Sequence, residues 1–241
     1  MKYAVIDCRM SEKCRASLKR FGFELIEITE NPNLDKPISA HPDISVFSYG
    51  NIVITENRST TVVLEHLFIK GGQIYKLTEG CYFKNKTIYP YDCVLNFAVC
   101  GKHLIGNMRY VNEEILSIAD EYNLILVDVK QGYAKCNICV VSDNALITED
   151  KGIANKCREY GIDVLLLENN SVKLDGYEYG FIGGASGTMF GNESNTILFC
   201  GCVEKHPQFE DIKMFCKKHR AETISLSDED LYDYGSIIIL Q

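Results

Sequence analysis

One motif recurs along the chain and limits what it can fold into: a short apolar strand, a polar turn, a second apolar strand, a helical stretch and a third strand. Aligned on the turn, the hairpins read SVF-SYGN-IVITEN from Ser45, FAV-CGK-HLIGNM from Phe97, CVV-SDN-ALITED from Cys139 and TMF-GNESN-TILFCG from Thr188. Apolar runs parted by Gly, Asn, Asp or Ser signal hairpins, because those residues accept the backbone angles of a turn. After each hairpin the apolar residues take helical spacing: Val62, Val63 and Leu67; Ile115, Ile118 and Ala119; Ile153, Ala154 and Cys157; Ile212, Phe215 and Cys216. These stretches read as amphipathic helices with one face to bury. A third strand follows in QIYKLTEG, LILVDVKQG, DVLLLENN and ETISLSDED, so the unit is ββαβ.

The two ends read as a fifth unit cut open. The start supplies a strand, YAVID, a helix, SEKCRASLKRFG, and a strand, FELIEITEN, while the last residues, GSIIILQ, supply the missing first strand. Helices are expected to begin near Ser11, Thr60, Asn112, Gly152 and Gln208. Repeats of this size imply a propeller or a solenoid, and pairing of the last strand with the first favours the propeller. The expectation is an α/β fold: residues 1–241 as one domain, a five-fold pseudo-symmetric ββαβ propeller closed by its terminal strands.

Composition narrows the partners. A chain of 241 residues with 46% hydrophobic content can bury a core, and a net charge of −8 without a long basic cluster argues against nucleic acid as the main partner. The opening MKYAVIDCRMSEK has too brief an apolar run for a signal peptide or membrane span, and no later segment supplies one. Eleven cysteines, an odd number spread through strands and helices, suit a reducing cytoplasm better than a disulfide framework.

Cys136-Asn137-Ile138-Cys139 has the spacing of a thiol redox pair or half a zinc site, yet it leads into a hairpin. Residues three apart on a strand face opposite ways, so these thiols meet only if the strand is broken between them. Cys200-Gly201-Cys202 would place two thiols on one strand face, but no second segment completes four zinc ligands. His66, His103, His206 and His219 share no metal-binding spacing and read as surface or strand-face residues. No metal and no cofactor is expected. Cys14, Cys157 and Cys216 read as small apolar residues packing helices on sheets.

Five ββαβ units around an axis resemble the pentein, or guanidino-group-modifying enzyme, fold over essentially the whole chain. The superfamily includes deiminases, dimethylarginine hydrolase, amidinotransferases and a ribosome anti-association factor. The resemblance implies a cysteine nucleophile, a histidine acid/base and carboxylates that hold a planar guanidinium cation. It also implies that residues entering each first strand line a shared axial pocket: Asp43, Asn96 (or Leu95), Asn137, Ser186 and Ser236. Just upstream, His41, Asp92, Cys93, Lys135, Gly184 and Tyr234 would form a second layer. The departure lies in the closing repeat: YGSIIIL carries no thiol, and GGASGTMF carries no His-Cys pair. Cys93 or Cys136 would then have to act from another repeat, with His41 and Asp43.

Each candidate has a plainer reading. Pro42 sets a turn and Asp43 satisfies loop N–H groups; Lys135 is a solvated loop charge; Asn137 and Ser186 bond backbone near the axis. The glycines of GFIGGASGTMFG raise a phosphate cradle, but no Lys-Ser/Thr follows and the next element is a strand, so close backbone approach explains them more simply. The acidic run SDEDLYDY reads as a solvated loop, apart from Asp233 and Tyr234 beside the last strand. Three functions stay open: a protein binding a small cationic guanidino, amidino or amino-acid-like ligand in an axial pocket, an enzyme on such compounds with a rearranged Cys/His/Asp site, and a scaffold docking a macromolecule.

Overall fold

The computed structural model describes residues 2–50, 52–55, 73–76, 89–168 and 171–240, with backbone alone for 73–76. The helix expected near Thr60, with Val62, Val63, His66 and Leu67, lies outside the described residues.

β1 (Lys2–Asp7) and β2 (Phe23–Ile28) flank the helix Glu12–Arg20. Four triplets follow: β3 (Val46–Tyr49), β4 (Ile52–Thr55) and β5 (Gln73–Lys76); β6 (Ala98–Cys100), β7 (His103–Gly106) and β8 (Ile125–Asp128); β9 (Ile138–Ser142), β10 (Ala145–Thr148) and β11 (Asp163–Leu166); β12 (Ser186–Met189), β13 (Asn195–Phe199) and β14 (Ala221–Ser225). β15 (Ile238–Leu240) comes last. Among the described residues these strands form five three-stranded sheets. In four of them the hairpin is antiparallel and the third strand is parallel to the second. In the fifth, β15 takes the hairpin position, antiparallel to β1 with Tyr3 opposite Leu240, and β2 runs parallel to β1.

A parallel pair needs a long crossover, and the helices Glu113–Glu121, Lys151–Glu159 and Phe209–Lys218 supply it. Side chains before the helices accept from orphan N–H groups: Asn112 from Glu114 at 2.7 Å and Asp150 from Ile153 at 2.8 Å. The helix expected near Gly152 starts at Lys151, with Asp150 as its cap. Ile115, Ile153, Ile212 and the thiols of Cys14, Cys157 and Cys216 are buried on the inner helix faces.

Alternate residues of one strand enter different cores. On β9, Cys139 and Val141 pack with Ile197 and Phe199 of β13, while Ile138 and Val140 pack with Ala98 and Ile105 of β6 and β7. The same holds at each boundary: Phe47 and Ile54 meet Phe97 and Leu104, Val5 and Ile238 meet Val46 and Val53, and Ala4 and Ile6 meet Leu198 and Ile237. Each sheet thus shares an apolar core with the next, and the last shares one with the first. Burial on both faces is why the strands read as unbroken apolar runs. No helix among the described residues is long and apolar enough to cross a membrane.

Candidate functional site

Short backbone devices ahead of the hairpin strands assemble a polar cluster. Pro42, with its fixed φ, opens a one-turn helix, Pro42–Ser45, that leads into β3. The Asp43 N–H in this turn donates to the Gly235 carbonyl at 3.0 Å. A second one-turn helix, Ala134–Asn137, precedes β9 and carries Lys135 and Cys136. Cys136 is therefore outside the strand, so the strand argument that set its thiol against that of Cys139 does not apply; both are free thiols. Gly183 lies beneath this turn: a Cβ there would sit 2.5–2.6 Å from the carbonyl oxygens of Ile138, Lys135 and Cys136. A Cβ on Gly184 would collide with the Asp233 carboxylate. Close backbone approach is thus what these glycines permit. Ser236 holds φ at 71°, a left-handed backbone that costs a non-glycine residue roughly 1–3 kcal/mol.

The side chains meet around Asp43. Its Oδ2 accepts from the Ser236 hydroxyl at 2.8 Å and from the Cys136 thiol at 2.9 Å. Lys135 Nζ donates to Ser236 Oγ at 3.0 Å. Asn96 ties the group together: Nδ2 donates to the Asp43 carbonyl at 3.1 Å and to Cys136 Sγ at 3.4 Å, and Oδ1 accepts from the Lys135 and Cys136 N–H groups at 2.7 and 3.3 Å. Asp233 accepts from the Phe181 and Gly235 N–H groups, both at 2.9 Å. His41 is buried, and neither of its ring nitrogens has a hydrogen-bond partner. Its Nδ1 stands 3.9 Å from Asp233, too far for a hydrogen bond. Asp43 Oδ1 is also unpartnered.

Burial decides the protonation states. It pushes the His41 imidazole down to about 3, with Arg9 acting in the same direction, so His41 is neutral. It pushes Asp233 up to about 7, aided by the charge of Asp43. Asp43 is raised by burial against the pull of Lys135 and its hydrogen bonds. Cys136 is raised well above the usual thiol range by burial and by the two carboxylates, so the resting group is a thiol. The cluster thus combines two buried carboxyl groups with a neutral thiol and a neutral imidazole, and Lys135 is the cation that acts on Asp43.

A cavity of about 260 Å³ opens on this cluster. His41, Cys136 and Asp233 lie at its polar end, and Tyr133, Tyr179 and Phe181 stand among its aromatic walls. A second cavity, about 370 Å³, reaches Lys135 and Ser186 between the strands β3, β6, β9, β12 and β15.

Of the candidate residues, the structure brings together His41, Asp43, Asn96, Lys135, Cys136, Asp233 and Ser236. Of the two thiols that could act with His41 and Asp43, Cys136 is the one placed beside them: one donor atom each of His41, Asp43 and Cys136 lie within 4.8 Å of one another. Cys93 stands apart, its thiol on the Pro90 carbonyl at 2.8 Å, with burial pushing it up to about 12. Asp92 is one step removed, accepting from the Tyr133 hydroxyl at 2.6 Å. Asn137 and Ser186 bond backbone carbonyls of Tyr133 and Gly183. Tyr234 packs on Tyr232 and lines a different cavity beside Asp7 and Arg9. Two further expectations need correcting. Cys200 is buried while Cys202 bonds Glu204 at 3.3 Å, because left-handed Gly201 turns the chain between them. His206 is buried, with Nδ1 accepting from the Gln208 N–H at 3.0 Å. The aromatic wall went unread, although Tyr177, Tyr179 and Phe181 alternate in GYEYGF. Glu149, buried and pushed up to about 7, also went unread.

Solved structures of similar fold cover nearly the whole chain. A dimethylarginine dimethylaminohydrolase from Pseudomonas aeruginosa, complexed with citrulline, is 11% identical over 93% of this chain and 91% of that one, with a TM-score of 0.55. The amidinotransferase SxtG from Microseira wollei is 10% identical over 95% and 88%, with a TM-score of 0.55. A C. jejuni agmatine deiminase is 11% identical over 95% and 86%, with a TM-score of 0.53. The chain therefore has the fold of the pentein, or guanidino-group-modifying, superfamily. No curated protein matches its sequence. It belongs to the family described as "Family of unknown function (DUF6873)", whose model matches residues 5–238.

Proposed function

We propose that this protein is a five-bladed pentein, one domain of five ββαβ units closed by β15 on β1, that binds a small organic cation of the guanidino or amidino class in the axial cavity. The cyclic succession of shared cores supports the architecture. The observation that carries the ligand reading is the polar end of the 260 Å³ cavity, where buried Asp233 stands beside His41, whose ring nitrogens are both unpartnered, with Asp43 and its unpartnered Oδ1 behind Cys136. Each unsatisfied buried group costs about 1–3 kcal/mol, which a ligand with forked N–H groups would relieve. The aromatic wall suits a flat cation. Fold analogues that handle dimethylarginine and agmatine lend the same direction, though chemistry resides in the site and not in the scaffold.

The arrangement of Cys136, His41 and Asp43 favours a second reading, an enzyme on the same compounds. Asp43 would take the Cys136 proton, the thiolate would attack the guanidinium carbon, and the adduct would expel the amine with that proton, passed through neutral His41. Water would then attack the amidino carbon, break its bond to sulfur and return the Cys136 thiol. A thermal-shift screen against arginine, agmatine, methylated arginines, creatine-like compounds and unrelated metabolites tests binding, with Asp43→Asn and Asp233→Asn as controls. A guanidino hit lost in both folded variants is expected; a hit retained in both would refute the site. Release of ammonia, amine or urea, abolished by Cys136→Ala and unaffected by Cys93→Ala, separates enzyme from binder.

A further inference from the structure

We propose that His41, Asp43 and Cys136 form a three-ligand site for a divalent metal ion of the zinc class. The three residues arrive from two one-turn elements, ahead of β3 and of β9, and are 2%, 1% and 4% exposed. Their donor atoms lie within 4.8 Å of one another. Zinc bonds of about 2.0–2.3 Å put tetrahedral donors roughly 3.3–3.8 Å apart. The Cys136 Sγ to Asp43 Oδ2 separation of 2.9 Å would widen by less than about 1 Å to reach this, and the outer pair would close by a similar amount.

An independent observation points to a ligand here: both ring nitrogens of His41 and Asp43 Oδ1 are buried without partners. A core histidine normally bonds at least one ring nitrogen, so two orphans beside a thiol and a carboxylate are unusual. Thiolate, imidazole and carboxylate together select zinc over magnesium or calcium. Three protein ligands leave a fourth position, and the 260 Å³ cavity adjoins it at His41 and Cys136. On binding, Cys136 gives its proton to solvent, and thiolate plus carboxylate offset the two charges of the ion, with Lys135 and Asp233 as the neighbouring groups of opposite sign. A His41 ring coordinating through Nε2 would leave Nδ1 toward Asp233, the usual partner of a zinc-bound histidine. The organic-cation reading needs carboxylates and not the thiol, so the two readings stand or fall separately; both use Asp43, and the occupants compete.

Metal-free protein would be titrated with Zn²⁺ by calorimetry and with Co²⁺ by absorption, using wild type, His41→Gln, Cys136→Ala and Cys93→Ala. The expected result is one equivalent bound, a thiolate-to-cobalt charge-transfer band, affinity lower by at least roughly 100-fold in the His41 and Cys136 variants, and no change for Cys93→Ala. Wild-type protein without the charge-transfer band, or variants that bind as tightly as wild type, would overturn the site. If a variant does not fold, absence of the wild-type band still overturns the site, and His41→Asn and Cys136→Ser replace the failed variant. A parallel titration of arginine and agmatine into chelator-treated Cys136→Ala isolates the organic-cation reading: binding there with no wild-type metal site refutes only the metal.

Discussion

Affinity for a guanidinium-type cation should follow the ionisation of Asp233. This carboxyl is 1% exposed, accepts two backbone N–H groups, and is raised from 3.8 to about 7 by burial and by Asp43. The cation binds the carboxylate, so the complex has the lower pKa and ligand uptake expels the proton. Affinity is then full above about pH 7 and falls as pH drops through that value, by up to tenfold per unit. If the bound cation restored an ordinary carboxyl, the span would be about 3 units, or about 4 kcal/mol. Asp43 is raised in the same direction by burial, and Glu149, pushed up to about 7, titrates in the same window. Neutral His41, pushed down to about 3, contributes nothing across it, and the Cys136 thiol stays protonated. Titration calorimetry from about pH 5 to about pH 8 measures the slope. Asp233→Asn should bind weakly with a flatter profile. Affinity that is constant, or tightens, as pH falls from about 7 to about 5 would refute the reasoning.

Glu149 makes a separate prediction about stability. Its folded pKa is raised from 4.5 to about 7, so the folded state holds a proton the unfolded chain releases, and stability declines as pH rises between those values. Glu149→Gln should remove that decline, a gain of up to about 3 kcal/mol above pH 7 relative to wild type, measured by urea unfolding at two pH values. Gly183→Ala should cost on the order of 1–3 kcal/mol or more, because three carbonyls crowd the new Cβ; unchanged unfolding would contradict the packing. In alkylation mapped by mass spectrometry, half-exposed Cys8 and Cys202 should react before buried, protonated Cys136; early labelling of Cys136 would contradict its resting state.

Much of the scaffold was legible because its signals are local. Ser11, Asn112 and Gln208 mark helix starts at the expected places, and the hairpin turns fix the strands between them. Alignment of the hairpins also picked out Asp43, Asn96 and Ser236, which the structure joins by hydrogen bonds at Asp43. The pairing of His41 with Cys136 depends on how two separate units face each other, which no spacing encodes. Asp233 and Tyr234 show the limit of adjacency: Asp233 reaches the cavity beside His41 and Cys136, whereas Tyr234 packs against Tyr232. The aromatic wall comes from irregular chain at 177–181, where neither helix nor strand period applies. The helix expected near Gly152 begins at Lys151, where the Asp150 side chain caps it.

The most direct test of the binding claim is a crystal structure with the strongest guanidino hit from the thermal-shift screen. The ligand is expected in the 260 Å³ cavity, its cationic end against Asp233 and His41 and its plane against the aromatic wall. Ligand density in the 370 Å³ cavity beside Lys135, with the His41 cavity empty, would contradict the account.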